Sequence, residues 1–180
     1  MIFMNKTGRK TPDISPWVRT HAPRIKPGGS VLDLACGGGR HALWLANQGW
    51  VVDAVDRDGA ALHGMAEMAH IRSLCADLEA GPWPYSGRQF DGIVVSRYLH
   101  RPLLGKLHES LAPGGVLIYE TFMAGNERHG KPSNPDFLLR PDELLTEFAP
   151  WLTVIAFEQG EQSLPTPAVM QRICAIKEPS

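Results

Sequence analysis

The chain has 180 residues, a formal net charge of −1 and 43% hydrophobic residues, which suits one globular domain with a substantial core. A net charge so close to zero gives no electrostatic reason to expect a nucleic-acid or anionic-membrane partner. The first ten residues, MIFMNKTGRK, lack the apolar run of a signal peptide, and no apolar stretch approaches the roughly 20 residues that span a bilayer. We therefore expect a cytoplasmic protein with no membrane partner.

The cysteines and histidines show no metal-binding pattern. Cys36, Cys75 and Cys174 lie far apart and form no C-x-x-C pair, and no H-E-x-x-H spacing occurs among the histidines. We expect free thiols in a reducing compartment and no metal site.

Apolar runs typical of strands alternate with helix-like segments along the chain. Ser15 followed by Pro16 is typical of a helix start and predicts a short helix to about Thr20, within an N-terminal helical cap over residues 1–29. Strands are expected at 30–34, 50–55, 71–75, 92–96, 116–121, 152–158 and 168–176. Helices are expected at 40–48, 59–68, 103–111 and 141–148.

This alternation predicts an α/β fold. Strands that alternate with helices form a parallel sheet covered on both faces. The last two strands are joined only by residues 159–167, and a hairpin of that kind makes them antiparallel. We therefore predict one domain, 1–180, with a Rossmann-like, doubly wound, seven-stranded sheet that is mostly parallel and ends in a C-terminal antiparallel hairpin.

A glycine cluster follows the first predicted strand, where such sheets bind ligands. The strand VLDLA runs into Cys36-Gly37-Gly38-Gly39, and the missing Cβ atoms let the backbone approach a ligand. Asp33 can accept hydrogen bonds from this turn or meet a cationic ligand. Asp56 ends the second strand, where a carboxylate can accept hydrogen bonds from both hydroxyls of a ribose. Asp77 could accept from an adenine amino group.

Five segments together resemble a known family. VLDLACGGGR, VVDAVDRD, CADLE, FDGIVVSRYLH and LAPGGVLIYETF resemble, in order, the motifs of class I S-adenosylmethionine-dependent methyltransferases, over roughly residues 30–122. The loop GNERHGKPSNPDFLLRPDELL is similar to that of small bacterial methyltransferases distantly similar to the tellurite-resistance methyltransferases. The resemblance implies methyl transfer from S-adenosylmethionine, with S-adenosylhomocysteine as product.

The resemblance also implies roles for individual residues. It assigns the methionine portion of the cofactor to Asp33, Gly37 and Gly39, and the ribose and adenine edge to Asp56 and Arg57. It places Asp77 and Leu78 beside the adenine, and Ser96 and Arg97 beside the methionine and sulfonium. Ala35 lies in the loop where the family often has glycine. Arg40 either pairs with the cofactor carboxylate or faces solvent.

The sequence says less about where the methyl acceptor would bind. Tyr98 and His100 follow the fourth strand and are, with Glu120, candidates for a general base if the acceptor must lose a proton. The polar loop over 123–140 is long enough to be a lid or a binding element. Its candidate substrate contacts are Asn126, Glu127 and Arg128; the alternative is a surface loop with its own hydrogen bonds.

Two other functions remain open on the sequence. Gly37 to Ala42 also fits the dinucleotide pattern G-x-G-x-x-A, so an NAD-dependent oxidoreductase is one alternative, and a non-catalytic cofactor-binding partner subunit is another. A methyltransferase is favoured because Asp33 precedes the loop as D-x-x-x-G-x-G and the chain leaves little room for a substrate domain. The segment SRYL lacks the signature of nucleobase amino-group methylation. We expect a small-molecule acceptor and a monomer or homodimer, with a protein or RNA acceptor left open.

Overall fold

A seven-stranded sheet forms the centre of the molecule. The computed structural model describes residues 14–163 and 166–179. The strands are β1 (Ser30–Leu34), β2 (Val51–Asp56), β3 (Ile71–Cys75), β4 (Phe90–Ser96), β5 (Leu111–Phe122), β6 (Thr153–Gln162) and β7 (Ala168–Ile176). The helices are α1 (Pro16–His21), α2 (Arg40–Asn47), α3 (Gly59–Leu62), α4 (Leu104–Glu109) and α5 (Glu143–Phe148).

The strand order is β3-β2-β1-β4-β5-β7-β6. Strands β1 to β5 pair in parallel, whereas β7 is antiparallel to both β5 and β6. The predicted α/β architecture with its C-terminal antiparallel hairpin is therefore confirmed. The order reverses between β1 and β4, so the crevice beyond their carboxyl ends is the place where this kind of sheet binds ligands.

Both faces of the central strands β1, β4 and β5 are buried. Along β1, Leu32 and Leu34 belong to one hydrophobic cluster and Val31 to the other, because successive side chains of a strand point to opposite faces. The same alternation separates Ile93 from Val94 on β4. Burial on both faces explains why these strands read as continuous apolar runs. The rigid sheet fixes where the residues after each strand lie.

Helix α1 is tied to the start of α2. Ser15 caps α1 as predicted, because its Oγ accepts from the amides of Trp17 and Val18. The Ser15 amide donates to Nε2 of His41 at 3.2 Å. Burial lowers the pKa of His41 to about 3, so the ring is neutral and can accept this bond. Of the predicted cap over 1–29, residues 1–13 lie outside the described residues.

Two predicted elements differ from the structure. The helix expected over 59–68 ends at Leu62 and continues only as a 3₁₀ turn to Met65, where Gly64 weakens the helix. Strand β5 begins at Leu111, which was expected in the helix over 103–111, and residues 113–115 lie within β5 at a shift in its register against β4. A Cβ at Gly115 would lie 2.7 Å from the Ala112 carbonyl oxygen, which explains the glycine.

In the part of the chain that the structure describes, no helix is long and apolar enough to cross a bilayer.

Candidate functional site

The loop after β1 is built on left-handed backbone. Gly37 and Gly39 have φ angles of +52° and +74°. A Cβ at Gly39 would lie 1.9 Å from Sδ of Met65, so a side chain there would have to displace the buried Met65 side chain. A Cβ at Gly37 would meet no protein atom within 4 Å, and the same holds for Gly38. The loop therefore presents open backbone at these two positions.

Ala35 shares the left-handed conformation, with φ of +51°. A residue with a Cβ costs roughly 1–2 kcal/mol there, which accounts for the family's preference for glycine. The backbone is held nonetheless, because the Cys36 amide donates to the Val55 carbonyl oxygen at 3.0 Å. The departure at Ala35 is therefore tolerated at the cost of local strain.

Asp33 is a buried carboxyl at the junction of β1 and α2. It is 1% exposed, and its Oδ2 accepts from the Ala42 amide at 2.9 Å. Burial raises the pKa of Asp33 to about 7, although the bond from Ala42 and the nearby charge of Arg40 oppose the rise. The carboxyl thus titrates close to neutral pH. A cation placed beside it would favour its charged form.

Asp56 closes the glycine loop from the end of β2. Its Oδ2 accepts from the Gly37 amide at 2.7 Å, and its Oδ1 accepts from the Asp58 amide at 2.9 Å. Each carboxylate oxygen has two acceptor positions, so both can take a further hydrogen bond. Asp56 can hold the loop and accept ribose hydroxyls at the same time.

A cavity of about 160 Å³ opens beside Asp56. Its lining is drawn from the ends of the first four strands and comprises Ala35, Asp56, Arg57, Ala76, Asp77, Leu78, Glu79 and Tyr98. The structure thus brings together most of the residues proposed from sequence for the ribose and adenine. Ala76 and Glu79 flank the Asp77-Leu78 pair and were not singled out, since neither residue type points to a ligand by itself.

The polar groups of this cavity are fixed by neighbouring backbone. Asp77 Oδ1 accepts from the amides of Glu79 and Ala80, and these bonds lower the pKa of Asp77. The Tyr98 hydroxyl is buried and makes no hydrogen bond of ordinary geometry within the described residues. Burial, followed by the charge of Glu79 and a side-chain interaction with it, raises the pKa of Tyr98, so the hydroxyl is a neutral donor beside Glu79. His100 is among the residues that lie near Asp77.

A second group of predicted residues meets beside the glycine loop. Arg40 Nη2 donates to Ser96 Oγ at 3.1 Å, and Ser96 Oγ donates to Glu120 Oε1 at 3.0 Å. Arg97 has φ of +58°, and its amide donates to the Glu120 carbonyl oxygen. The Arg97 guanidinium lies 5.9 Å from the ring centroid of Phe122. Arg40, Ser96 and Arg97 are therefore gathered around Glu120.

The loop over 123–140 is fastened to β7. Asn126 is 2% exposed; its Nδ2 donates to the Pro132 carbonyl oxygen and its Oδ1 accepts from the Val169 amide, both at 3.1 Å. Glu127 Oε2 accepts from the Gly125 amide, and Arg128 Nε donates to the Gly125 carbonyl oxygen. Glu127 and Arg128 are exposed, whereas the side chain of Asn126 serves the loop itself.

A larger cavity, of about 330 Å³, lies elsewhere. It is lined by residues before β4 and along α4, including Arg88 and Lys106, and by none of the residues proposed from sequence. It lies towards the amino end of β4, away from the glycine loop. Within residues 14–163 and 166–179, no three His, Cys, Asp or Glu side chains are grouped so as to hold a metal ion.

Comparison with known proteins bears on the same part of the chain. Residues 31–115 match the family described as a methyltransferase domain. An uncharacterized methyltransferase of Synechocystis sp. is 31% identical over 103 residues, which cover 51% of this chain and 46% of that protein. An uncharacterized methyltransferase of Mycobacterium bovis is 36% identical over 108 residues, covering 56% and 54% respectively. The chain thus spans about half the length of these relatives.

Solved structures share the fold over nearly the whole chain. TehB from Haemophilus influenzae superimposes with a TM-score of 0.77 at 21% identity, covering 92% of this chain and 63% of that one. At this identity the likeness concerns the fold. The likeness extends beyond residues 31–115 to the antiparallel strands β7 and β6, which form one edge of the sheet.

Proposed function

We propose that this chain, whose residues 31–115 match the methyltransferase-domain family, transfers the methyl group of S-adenosylmethionine to a small-molecule acceptor by in-line displacement. One observation carries the proposal: Asp56 joins an open glycine loop to a cavity lined by Asp77, Leu78 and a buried Tyr98 hydroxyl. This arrangement offers hydroxyl, amine and ring recognition within one crevice at the carboxyl ends of parallel strands.

The residues of the cavity suit the adenosine part of the cofactor. Asp56 has acceptor capacity left for the ribose hydroxyls. Asp77 would accept from the adenine amino group, and the buried Leu78 would lie against the ring. The buried Tyr98 hydroxyl, which has Glu79 beside it, would donate to a ring nitrogen of the bound adenine. Arg57 would border the adenine edge.

The glycine loop and its neighbours suit the methionine part. The open backbone at Gly37 and Gly38 leaves room for a ligand to approach. Asp33 offers a carboxyl to the cofactor's ammonium, and Arg40 offers a guanidinium to its carboxylate. Ser96 and Arg97 would border the sulfonium. The ammonium and the carboxylate of the cofactor's methionine part would then each face a side chain of opposite charge.

The bound cofactor would supply a methyl group on positively charged sulfur, with a neutral thioether as leaving group. The chain's own residues have mainly to align the acceptor, an effect worth up to roughly 7–11 kcal/mol. A general base is required only for an acceptor that must lose a proton. Glu120 suits that task poorly, because both of its oxygens are already engaged, which leaves His100 as the candidate base. Glu127 and Arg128 are the exposed candidates for contact with the acceptor.

The sheet order supports this function over the nicotinamide alternative. The common dinucleotide-binding order is 3-2-1-4-5-6, whereas here an antiparallel β7 lies between β5 and β6. The net charge of −1 favours a small acceptor over RNA. The non-catalytic subunit stays a separate hypothesis that only turnover can test.

Transfer of labelled methyl groups tests the proposal. The purified chain is incubated with methyl-labelled S-adenosylmethionine and, separately, with small-molecule, protein and RNA fractions of a bacterial extract. We expect label in the small-molecule fraction and none with an Asp56→Ala variant. Label in RNA or protein alone would contradict the proposed acceptor. Cofactor binding without transfer to any fraction would support the non-catalytic subunit.

A further inference from the structure

A row of polar side chains crosses four strands beside the glycine loop. The strand register places Ser96 of β4 opposite Glu120 of β5, Glu120 opposite Arg172 of β7, and Arg172 opposite Glu158 of β6. Side chains directly opposite one another lie on the same face of a sheet. We call these four residues the polar row.

The polar row is connected by hydrogen bonds and ion pairs. Arg172 Nε donates to Glu120 Oε2 at 3.3 Å, and Arg172 Nη1 lies 3.6 Å from Glu158 Oε2. Ser96 donates to the other oxygen of Glu120. Glu120 is 4% exposed, and a charge this buried is stable only when it is paired and hydrogen-bonded. The pairing of Glu120 with Arg172 and Ser96 meets that requirement.

Glu120 determines which way the Ser96 hydroxyl points. A serine hydroxyl has one proton to donate. Because that proton goes to Glu120 Oε1, the lone pairs of Ser96 Oγ face Arg40, whose Nη2 donates to them. Loss of the Glu120 carboxylate would free the Ser96 hydroxyl to rotate. Ser96 Oγ would then no longer be held as the acceptor that orients Arg40 Nη2.

The charge of Glu120 also offsets a close pair of cations. The electrostatic neighbours of Arg40 are Arg97, which is repulsive, and Glu120 and Asp33, which are attractive. Burial disfavours the charged guanidinium as well. A partly buried arginine next to a second arginine is stabilised by a nearby anion. Glu120 supplies one from the opposite side of Ser96.

We propose that Glu120, anchored by Arg172, is a positioning residue that acts through Ser96 to orient the Arg40 guanidinium towards the carboxylate of the cofactor. The inference rests on the proposed function, since it requires an adenosyl cofactor with a methionine tail. It assigns Glu120 no contact with the reacting atoms and no transfer of protons. It gives β7 a part in cofactor binding, although β7 lies far along the chain from the glycine loop.

The test compares two ligands that differ in the amino-acid tail. S-adenosylhomocysteine has an amino-acid tail with a carboxylate and an ammonium, whereas 5′-methylthioadenosine has the same adenosine and a thioether but neither charged group. Isothermal titration of both is made with the full chain and with Glu120→Gln. We expect the variant to bind S-adenosylhomocysteine roughly tenfold or more weakly and to bind 5′-methylthioadenosine as the unchanged chain does. Equal weakening of both ligands, or of neither, would overturn the proposal.

Four further variants make the outcome decisive. Ser96→Ala should reproduce the selective loss, which covers the case in which Glu120→Gln does not fold. Adding Glu120→Gln to Arg40→Met should weaken binding no further than Arg40→Met alone, because the two act on one interaction; additive losses would contradict the relay. The matched control is Asp91→Asn, which should bind both ligands normally. The Asp91 carboxylate accepts from the Ser30 amide and hydroxyl near the amino end of β1, away from the glycine loop. If the unchanged chain binds neither ligand, the proposed function fails rather than this inference.

Discussion

The Gly37 amide donates to Asp56 Oδ2 at 2.7 Å, so the acid that ends β2 and the glycine loop that follows β1 form one unit. The bond means that a substitution at Asp56 acts on the ligand contact and on the loop together. Ligand affinity and loop geometry are therefore expected to change in parallel when Asp56 is altered.

Replacement of Asp56 by alanine should weaken S-adenosylhomocysteine binding. A lost hydrogen bond to a charged partner costs roughly 1.5–3 kcal/mol, which is about a 10- to 100-fold change in affinity measured by calorimetry. The control is Asp58→Ala, which removes the α3 cap made by Asp58 Oδ1. That variant should lose about 1 kcal/mol of stability and keep its affinity. Unchanged affinity in Asp56→Ala would refute the ribose assignment.

The open space at Gly37 predicts a difference between neighbouring glycines. Gly37→Val places a branched side chain at φ of +52°, in the space left for the ligand, and should abolish measurable cofactor binding. Gly38→Ala is the comparison, because it meets no protein atom and Gly38 is not among the glycines with positive φ. It should fold normally, and its affinity reports how closely a ligand approaches there. Wild-type affinity in Gly37→Val would contradict the close approach.

The Asp33 carboxyl should make stability fall as pH rises. Its pKa is raised by burial from 3.8 to about 7, so between these values the folded protein holds a proton that the unfolded chain has released. Stability due to Asp33 is therefore full below about pH 4 and declines towards pH 7, by at most about 1.4 kcal/mol per pH unit. Denaturant unfolding across this range should show the wild type losing stability relative to Asp33→Asn as pH rises, and a constant difference would contradict the raised pKa.

The same comparison of the wild type with Asp33→Asn is then repeated with ligand bound. If Asp33 faces the ammonium of the cofactor, saturating S-adenosylhomocysteine should lower the pKa of Asp33 and flatten the difference between wild type and Asp33→Asn. A difference that stays the same with and without ligand would show that Asp33 serves only the backbone of α2, through the Ala42 amide.

Features that depend on local sequence could be predicted. Asp33, Gly37 and Asp56 stand at strand ends, and the order of strands and helices determines which edge of the sheet they share. The Ser15 cap and the antiparallel hairpin were predicted for the same reason, since each depends on a few adjacent residues.

Features that depend on register between distant strands could not. Glu120 meets Arg172 only because β5 and β7 pair in one particular register, across 52 residues of chain. Asn126 is buried by a bond to the Val169 amide, 43 residues away, which its place in a polar loop does not suggest. Tyr98 was considered as a general base, and the structure places its hydroxyl in the cavity proposed for adenosine because the chain turns after β4.

Binding of the cofactor itself tests the central claim most directly. Thermal unfolding of the full chain is measured with S-adenosylmethionine, S-adenosylhomocysteine, NAD and NADP, each in separate samples. A ligand at a hundred times its dissociation constant stabilises the folded state by about 2.7 kcal/mol, enough for a clear rise in the unfolding temperature. We predict a rise with the two adenosyl sulfur compounds and none with the nicotinamides. A rise with NAD or NADP alone would contradict the account.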